Sequence, residues 1–313
     1  MDNFNFSKNR HPFIIGLSLA STWAWGVSVI VGMQVFQQKG FLAYFIWALA
    51  NSIALLIFGF ITKKVDNARF ISDLLPKTFI PIYRILILFI QFFSILVNLT
   101  AINQGIGMLG LPDFLGIVFS IILFLIILTK GFKGSIVMGS LQFIFVIGIA
   151  ILVILLGGEH HIITHSNTED IHWAIWSSLI LISGPIVDQQ IWQRRISTGY
   201  SISPFILSSL IFAFYMCLIG LLAYFGKMHS ILIGIIVIGV AGSTLVGALS
   251  AVGSYGKTIF QSRTWMVILF LMALMALVAK TNILNLWTFY GSIRVPFAII
   301  AAFCIIIKTL KNN

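Results

Sequence analysis

Residues 172–193 read HWAIWSSLILISGPIVDQQIWQ, an apolar stretch that is interrupted at Ser183-Gly184-Pro185 and turns polar from Asp188 onward. A helix needs about 20 residues to cross about 30 Å of hydrocarbon, and this stretch is long enough. Proline removes a backbone donor and clashes with the preceding turn, while unpaired backbone groups at membrane depth are tolerated only beside a cavity or inside protein. The stretch therefore predicts a membrane helix that is broken near its middle.

Nine further apolar runs fill the rest of the chain. The sequence is 59% hydrophobic and 9% charged, whereas soluble domains contain about 25% charged residues. This composition excludes a water-soluble enzyme and leaves no segment for a soluble catalytic or nucleotide-binding domain. We predict an all-α polytopic membrane protein with one transmembrane domain over residues 1–313. The predicted spans are 13–36, 41–62, 78–109, 112–129, 134–157, 172–193, 202–226, 230–256, 264–280 and 283–307.

The basic residues indicate how these spans are oriented. Of the 19 Lys and Arg residues, fourteen fall in connections on one side, three fall on the other, and Arg84 and Arg294 fall within spans. The positive-inside rule then predicts a cell-membrane protein with both termini in the cytoplasm. Because the charge of +11 is spread over short loops, we expect contact with the lipid bilayer, no nucleic acid and no soluble protein partner.

The span count permits two halves, about 13–157 and about 172–307. Five spans per half is an odd number, so homologous halves would have opposite orientations in the bilayer. The first span also carries an interruption, Ser21-Thr22-Trp23-Ala24-Trp25-Gly26. Paired interruptions in the leading helix of each half predict a binding site at the membrane midplane. The alternative is that both are ordinary kinks or small-residue packing faces.

Three segments resemble motifs of the sodium:solute symporter family. Asp188-Gln189-Gln190-Ile191-Trp192-Gln193-Arg194-Arg195 is similar to the Asn/Asp-Gln-x-x-x-Gln-Arg signature that ends the sixth core helix of that family. Gly131-Phe132-Lys133-Gly134, followed by Gln142, resembles the start of the fifth core helix, and Gly242-Ser243-Thr244-Leu245 through Ala251 to Ser254 resembles the Ser-rich eighth. The resemblance covers about 13–307 and implies the LeuT-type fold, a five-plus-five inverted repeat that works by alternating access.

The resemblance also implies a sodium site, with Na⁺ as the coupling ion. Sodium requires oxygen ligands, which in hydrocarbon come from hydroxyls or from carbonyls freed by helix breaks. The hydroxyls that coordinate sodium in the family match Ser243 and Thr244, and the carbonyls of Val240, Ser21 and Ala24 would complete the shell. The alternative is that these hydroxyls bond carbonyls of their own helix. We expect no other metal, because the His and acidic residues of 159–172 lack metal-ligand spacing.

Two ionisable residues within spans are candidates for gating and solute binding. Asp188 is the one carboxylate that we place inside a span, and we predict a gating role; the alternative is a structural pairing with Arg194 or Arg195. Arg294 lies near the middle of the last span, where it could bind a solute carboxylate or pair with Asp188 as a gate. The residues predicted to bind a small polar organic solute are Trp23, Trp25, Ser28, Asn51, Ser94, Asn98, Ser183 and Arg294.

Together these features predict a secondary active transporter rather than an enzyme, because the spans contain no HExxH motif or Ser-His pairing. Sodium-coupled symport of a small polar organic solute is the preferred hypothesis. The family has a Thr-Asp pair where this chain has Met138-Gly139, so an acidic group of the ion pathway is missing. A proton-coupled or uncoupled transporter of the same fold, and a non-transporting membrane receptor or scaffold, therefore remain open.

Overall fold

The computed structural model describes residues 12–63, 65, 71–158, 165–198, 201–225, 229–259, 264–277 and 282–312. Within these ranges the chain forms α-helices and two short 3₁₀ turns, Ile71–Asp73 and Lys77–Phe79, and no strand. The helices are α1 Pro12–Trp23, α2 Gly26–Thr62, α3 Ile80–Met108, α4 Phe114–Leu156, α5 Thr168–Val187, α6 Gln189–Ser197, α7 Ser203–Phe225, α8 Ser230–Ile259, α9 Thr264–Leu277 and α10 Ile283–Asn312.

The described helices expose apolar side chains and bury polar ones, as expected of a protein that lies in a bilayer. Seven helical segments among them are long and apolar enough to cross a membrane. Large apolar side chains point outward, for example Phe45 with 52% and Leu155 with 78% of its surface exposed. Polar residues such as Asp188, Arg194 and Arg294 are instead buried between helices. A soluble monomer rarely exposes so much contiguous apolar surface, so the chain is a helical membrane protein, as its composition predicts.

Two of the helices join stretches that the sequence analysis treats as separate spans. The helical backbone of α2 is interrupted at Gly40, which has φ 84° and ψ 171°. Glycine adopts this conformation readily, and here it separates the predicted spans 13–36 and 41–62. The 43 residues of α4 measure about 65 Å at 1.5 Å per residue, more than one crossing requires. Its backbone stays helical through 130–133, between two predicted spans, where the sequence has no proline to stop it.

Helix α8 lies at the centre of the bundle and packs against α1, α2, α3, α4, α6 and α9. Small residues allow these close approaches, as is common between membrane helices. A Cβ atom on Gly234 of α8 would lie 2.8 Å from the Gly105 carbonyl oxygen of α3, and one on Gly239 would lie 2.9 Å from a side chain of α4. A Cβ on Gly26 would overlap Ala241. The start of α2 is therefore pressed against the middle of α8.

Candidate functional site

The first helix break lies at Ala24 and Trp25, between α1 and α2. Trp25 has an extended backbone, with φ −71° and ψ 151°. Its N–H, which in a continuous helix would bond the Ser21 carbonyl, donates instead to the Trp23 carbonyl at 3.0 Å. The Ser28 N–H donates to the Trp25 carbonyl at 2.8 Å rather than to the Ala24 carbonyl. The break therefore releases the Ser21 and Ala24 carbonyls from the helical ladder.

The released Ala24 carbonyl faces the adjacent hydroxyls of α8. Thr244 Oγ1 lies 3.1 Å from the Ala24 carbonyl oxygen and 3.2 Å from the Val240 carbonyl oxygen, and Ser243 Oγ donates to the same Val240 carbonyl at 2.8 Å. Ser243 is 3% and Thr244 0% exposed. A hydroxyl has a single proton to donate, so Thr244 satisfies only one of its two carbonyl neighbours at a time. The hydroxyl and carbonyl oxygens here therefore have more lone pairs than the hydroxyl protons can satisfy, and these lone pairs could bind a cation.

Ser21 approaches the same point from α1, with α4 closing the side. An ideal Cβ on Gly139 of α4 would lie 3.2 Å from Ser21 Oγ and 3.9 Å from Ser243 Cβ. The Ser21 hydroxyl itself donates to the Ser18 carbonyl at 3.0 Å. The structure thus brings the residues predicted as sodium ligands together where α1, α4 and α8 meet. Position 139, where the symporter family has an acidic residue and this chain has glycine, faces this group of oxygens directly.

The second helix break lies at Asp188, between α5 and α6. Sequence analysis predicts an interruption at Ser183-Gly184-Pro185, but α5 remains helical to Val187, and Asp188 is the extended residue with φ −83° and ψ 113°. The carboxylate explains the position, because Asp188 Oδ1 accepts from the Gln190 N–H at 2.9 Å and caps α6. Aspartate is a strongly favoured helix N-cap. The break is present but lies three residues after Pro185.

Arg294 of α10 is buried beside the two breaks, with 2% of its surface exposed. Its guanidinium lies 4.2 Å from the Tyr290 ring centroid and 5.7 Å from that of Trp25. Nη1 donates a long hydrogen bond of 3.5 Å to the Tyr290 hydroxyl, and it lies 3.2 Å from the place that a Cβ on Gly184 would occupy. Trp25 stacks on Tyr290 with 5.6 Å between ring centroids. Aromatic faces therefore hold the guanidinium against the backbone of α5, one turn before Asp188.

The residues predicted to bind solute divide into two groups. Trp25, Ser94 and Arg294 belong to the buried region around Tyr290 and the second break, where Gln190 Nε2 donates to Ser94 Oγ at 3.4 Å. Asn98 is buried on α3, and its Nδ2 donates within that helix to the Ser94 carbonyl at 2.8 Å. Trp23 also borders it, through its ring against Gly184.

Asn51, Ser183 and Ser28 are buried but are engaged elsewhere. Trp23 Nε1 donates to the Asn51 carbonyl at 3.0 Å, and the Asn51 side chain turns to Met216 Sδ of α7 at 3.7 Å. Ser183 Oγ donates within α5 to the Ile180 carbonyl at 2.8 Å. Ser28 is buried in the first turn of α2. The Asn51 amide nitrogen and the Ser183 hydroxyl are therefore occupied by contacts within the bundle, and their role in solute binding stays a prediction.

The sequence patterns do not single out Tyr290 or the partners of Arg194. Tyr290 precedes Arg294 by four residues, the spacing that places two side chains on one helical face, and this could have identified it. Arg194 of α6 donates from Nε to Ser18 Oγ of α1 and from Nη2 to Ser135 Oγ of α4, both at 3.1 Å. These contacts join residues distant in sequence, so no local pattern marks them.

The alternative role of Asp188, a structural pairing with Arg194, Arg195 or another cytoplasmic base, stays a prediction. Asp188 Oδ2 is buried without a hydrogen-bond partner among the described residues, and the charges of Arg294 and Arg194 act on the carboxylate. Residues 159–164 of the His-rich and acidic loop lie outside the described part of the chain. Within that part, no group of three or more His, Cys, Asp or Glu side chains could hold a metal ion.

A scan against protein-family models finds no match to this chain, and a search of curated proteins finds none. The symporter resemblance therefore rests on the three quoted segments alone. Function has to be inferred from the oxygens at the first break and from the charged and aromatic residues near the second.

Proposed function

We propose that this protein is a secondary active transporter that couples sodium entry to uptake of a small polar organic solute. The observation that carries the proposal is the contact between Thr244 Oγ1 and the Ala24 carbonyl, 3.1 Å apart. It joins a hydroxyl of an apolar helix to a carbonyl that the first break has released. Irregular backbone at membrane depth is tolerated where it lines a binding site, and discontinuous helices supply such oxygens to coupling ions.

The chemistry of this oxygen group favours sodium over a proton. Its members are the carbonyls of Ala24 and Val240 and the hydroxyls of Ser243 and Thr244, with the Ser21 hydroxyl close by, all of them neutral oxygens. A proton carrier must have a group that titrates, whereas a hard cation needs oxygen dipoles. Gly139 supplies no side chain to this group. The missing acid thus argues against proton coupling at this position rather than against ion binding.

The packing supports ten crossings in two inverted halves. Helix α4 meets α1 at the first break through Gly139 and Ser21, and α10 meets α5 near the second break through Gly291 and Ile180. In a five-plus-five repeat these are equivalent pairs, the fifth helix on the first and the tenth on the sixth. Helices α3 and α8, which would be the third and eighth, pack on each other. Two broken helices in equivalent positions complete the pattern that such repeats produce.

In this proposal, sodium and solute together favour the conformations from which the gates rearrange, and the sodium gradient supplies direction. Sodium binds at the first break, the solute binds between α3, α10 and the second break, and Asp188 and Arg294 act as gating residues. Both termini face the cytoplasm, as the positive-inside rule predicts.

The test is uptake by purified protein in liposomes with sodium and proton gradients imposed separately. Thr244→Val keeps the shape of the side chain and removes its oxygen, so we expect the sodium concentration for half-maximal uptake to rise by about tenfold or more. Ser243→Ala should act in the same direction. Ser178→Ala is the matched control, because Ser178 Oγ donates within α5 to the Ala174 carbonyl at 2.8 Å.

Sodium dependence that is unchanged in a Ser243→Ala/Thr244→Val double variant would contradict the site. Uptake driven by a proton gradient alone would favour the proton-coupled alternative. Solute binding without flux would favour the receptor or scaffold.

A further inference from the structure

Arg194 of α6 is a buried cation at the junction of four helices, with 1% of its surface exposed. Nε donates to Ser18 Oγ of α1 and Nη2 to Ser135 Oγ of α4, both at 3.1 Å, and Nη1 donates to the Gln190 carbonyl at 3.3 Å. A Cβ atom on Gly247 of α8 would lie 3.6 Å from Nη2. The guanidinium therefore lies against α1, α4 and α8 at once.

The same three helices carry the oxygen group of the first break one turn away from Arg194. In each helix the residue beside Arg194 is three or four positions from a residue at that group: Ser18 from Ser21 in α1, Ser135 from Gly139 in α4, and Gly247 from Ser243 in α8. One helical turn advances about 5.4 Å. In the orientation proposed above, the chain runs outward through α1 and the second half of α4 and inward through α8. Arg194 thus lies about one turn to the cytoplasmic side of the oxygen group on every helix.

Ser18 joins the guanidinium directly to the residues of the first break. Its hydroxyl accepts from Arg194 Nε, while its carbonyl accepts from Ser21 Oγ at 3.0 Å and from Thr22 Oγ1 at 2.8 Å. Ser18 is 2% and Ser135 is 0% exposed. A cation that leaves the oxygen group towards the cytoplasm along α1 therefore meets Ser18 and then the guanidinium.

The hydrogen bonds of Arg194 described here do not by themselves require a positive charge. They reach two hydroxyls and one carbonyl, which a neutral donor could also bond. Burying an ionised side chain costs free energy, and a neutral replacement is often no less stable. Asp188 acts electrostatically on Arg194, which favours the buried cation. An ionisable group kept inside a membrane bundle at such a cost is expected to use its charge.

We propose that Arg194 is a positively charged plug on the cytoplasmic side of the cation site. Its guanidinium fills the path between α1, α4 and α8, and it repels sodium strongly because the surroundings have a low dielectric constant. Sodium then passes to the cytoplasm only when α6 moves away. The charge therefore weakens sodium binding and prevents sodium from crossing without solute. This inference rests on the proposed function, because it takes the oxygen group to hold sodium.

The test compares Arg194→Gln, which removes the charge and keeps hydrogen-bond donors, with Arg194→Lys, which keeps the charge. Binding of radiolabelled sodium to purified protein and sodium influx into liposomes without solute are measured. For Arg194→Gln we expect the sodium dissociation constant to fall by about fivefold or more, since a like charge one turn away is removed, and solute-independent influx to rise. Arg194→Lys should stay close to the unmodified protein. Lys257→Gln is the control, because it removes an exposed cation at the end of α8.

A second pair of variants leaves Arg194 in place. Ser135→Asp sets a carboxylate beside Nη2 and neutralises the guanidinium, whereas Ser135→Asn has nearly the same size and no charge. Ser135→Asp should tighten sodium binding and raise solute-independent influx relative to Ser135→Asn. This pair keeps the test decisive if Arg194→Gln does not fold, as thermal unfolding would show.

The outcomes separate this inference from the proposed function. Equal changes in Arg194→Gln and Arg194→Lys would show that Arg194 acts through its hydrogen bonds, and would overturn the plug. Sodium binding by the unmodified protein that is insensitive to charge at positions 194 and 135 would also overturn the plug and leave symport standing. Absence of saturable sodium binding by the unmodified protein would overturn the proposed coupling, and the plug with it.

Discussion

At the scale of single residues, Gly184 has little room for a side chain beside the two breaks. An added Cβ would overlap the Trp23 ring and would lie 3.2 Å from Arg294 Nη1. Trp23 cannot move freely, because its indole N–H bonds the Asn51 carbonyl at 3.0 Å. Glycine is thus required here for close packing and not for an unusual backbone angle.

We predict that Gly184→Ala lowers the free energy of unfolding by about 1–3 kcal/mol, the usual cost of overpacking, and abolishes sodium-dependent uptake. The added methyl group displaces either Trp23 or Arg294, and both line the proposed solute region. Thermal unfolding and liposome uptake measure the two effects. Gly148→Ala in α4 is the control, because nothing lies within 4 Å of its added Cβ. Normal uptake by Gly184→Ala would show that the contact with Trp23 and Arg294 is not needed.

At the scale of helices, the sequence predicts what depends on local composition. Apolar length indicates a helical membrane protein, and seven helices of the described residues are long and apolar enough to cross a membrane. The Ser21 to Gly26 interruption coincides with the first break. The second break moves to Asp188 because a side-chain cap, rather than the proline, decides where α6 begins. The grouping of Tyr290 with Trp25, and of Arg194 with Ser18 and Ser135, depends on tertiary packing. A single sequence holds no local signal for such contacts.

The turn within α2 depends on one glycine. Gly40 has φ 84° and ψ 171°, a region that residues with a Cβ occupy only at a cost of about 1–3 kcal/mol. We predict that Gly40→Ala lowers the free energy of unfolding by about this amount, measured by thermal unfolding in detergent. The same exchange at helical Gly148 should be neutral or slightly stabilising, because alanine is the better helix former. Equal stabilities of the two variants would contradict the role given to Gly40.

At the scale of the whole molecule, contacts close the bundle at both ends. On the predicted cytoplasmic side, Arg194 ties α6 to Ser18 of α1 and to Ser135 of α4. On the opposite side, Lys39 Nζ donates to Asp170 Oδ1 at 3.1 Å and joins the region before Gly40 to the first turn of α5. In the proposed alternating-access cycle these two closures open in turn, so weakening one should shift the population of states towards that side.

We predict that Ser135→Ala increases access to the buried region from the cytoplasm, while Lys39→Met increases it from outside. Removing an acceptor of a buried guanidinium shifts the closed state by about 1.5 kcal/mol or more, about tenfold in population. The Lys39–Asp170 pair is partly exposed and is worth about 1 kcal/mol at most, so its effect should be at most about fivefold.

The rate at which a Ser94→Cys variant reacts with an impermeant maleimide measures this access. The variant is made after Cys217→Ser and Cys304→Ser, and it is labelled in inside-out and right-side-out vesicles. Each variant should slow labelling from the side that it does not open, because the states share one population. Faster labelling from the same side in both variants would rule out alternation between these two closures.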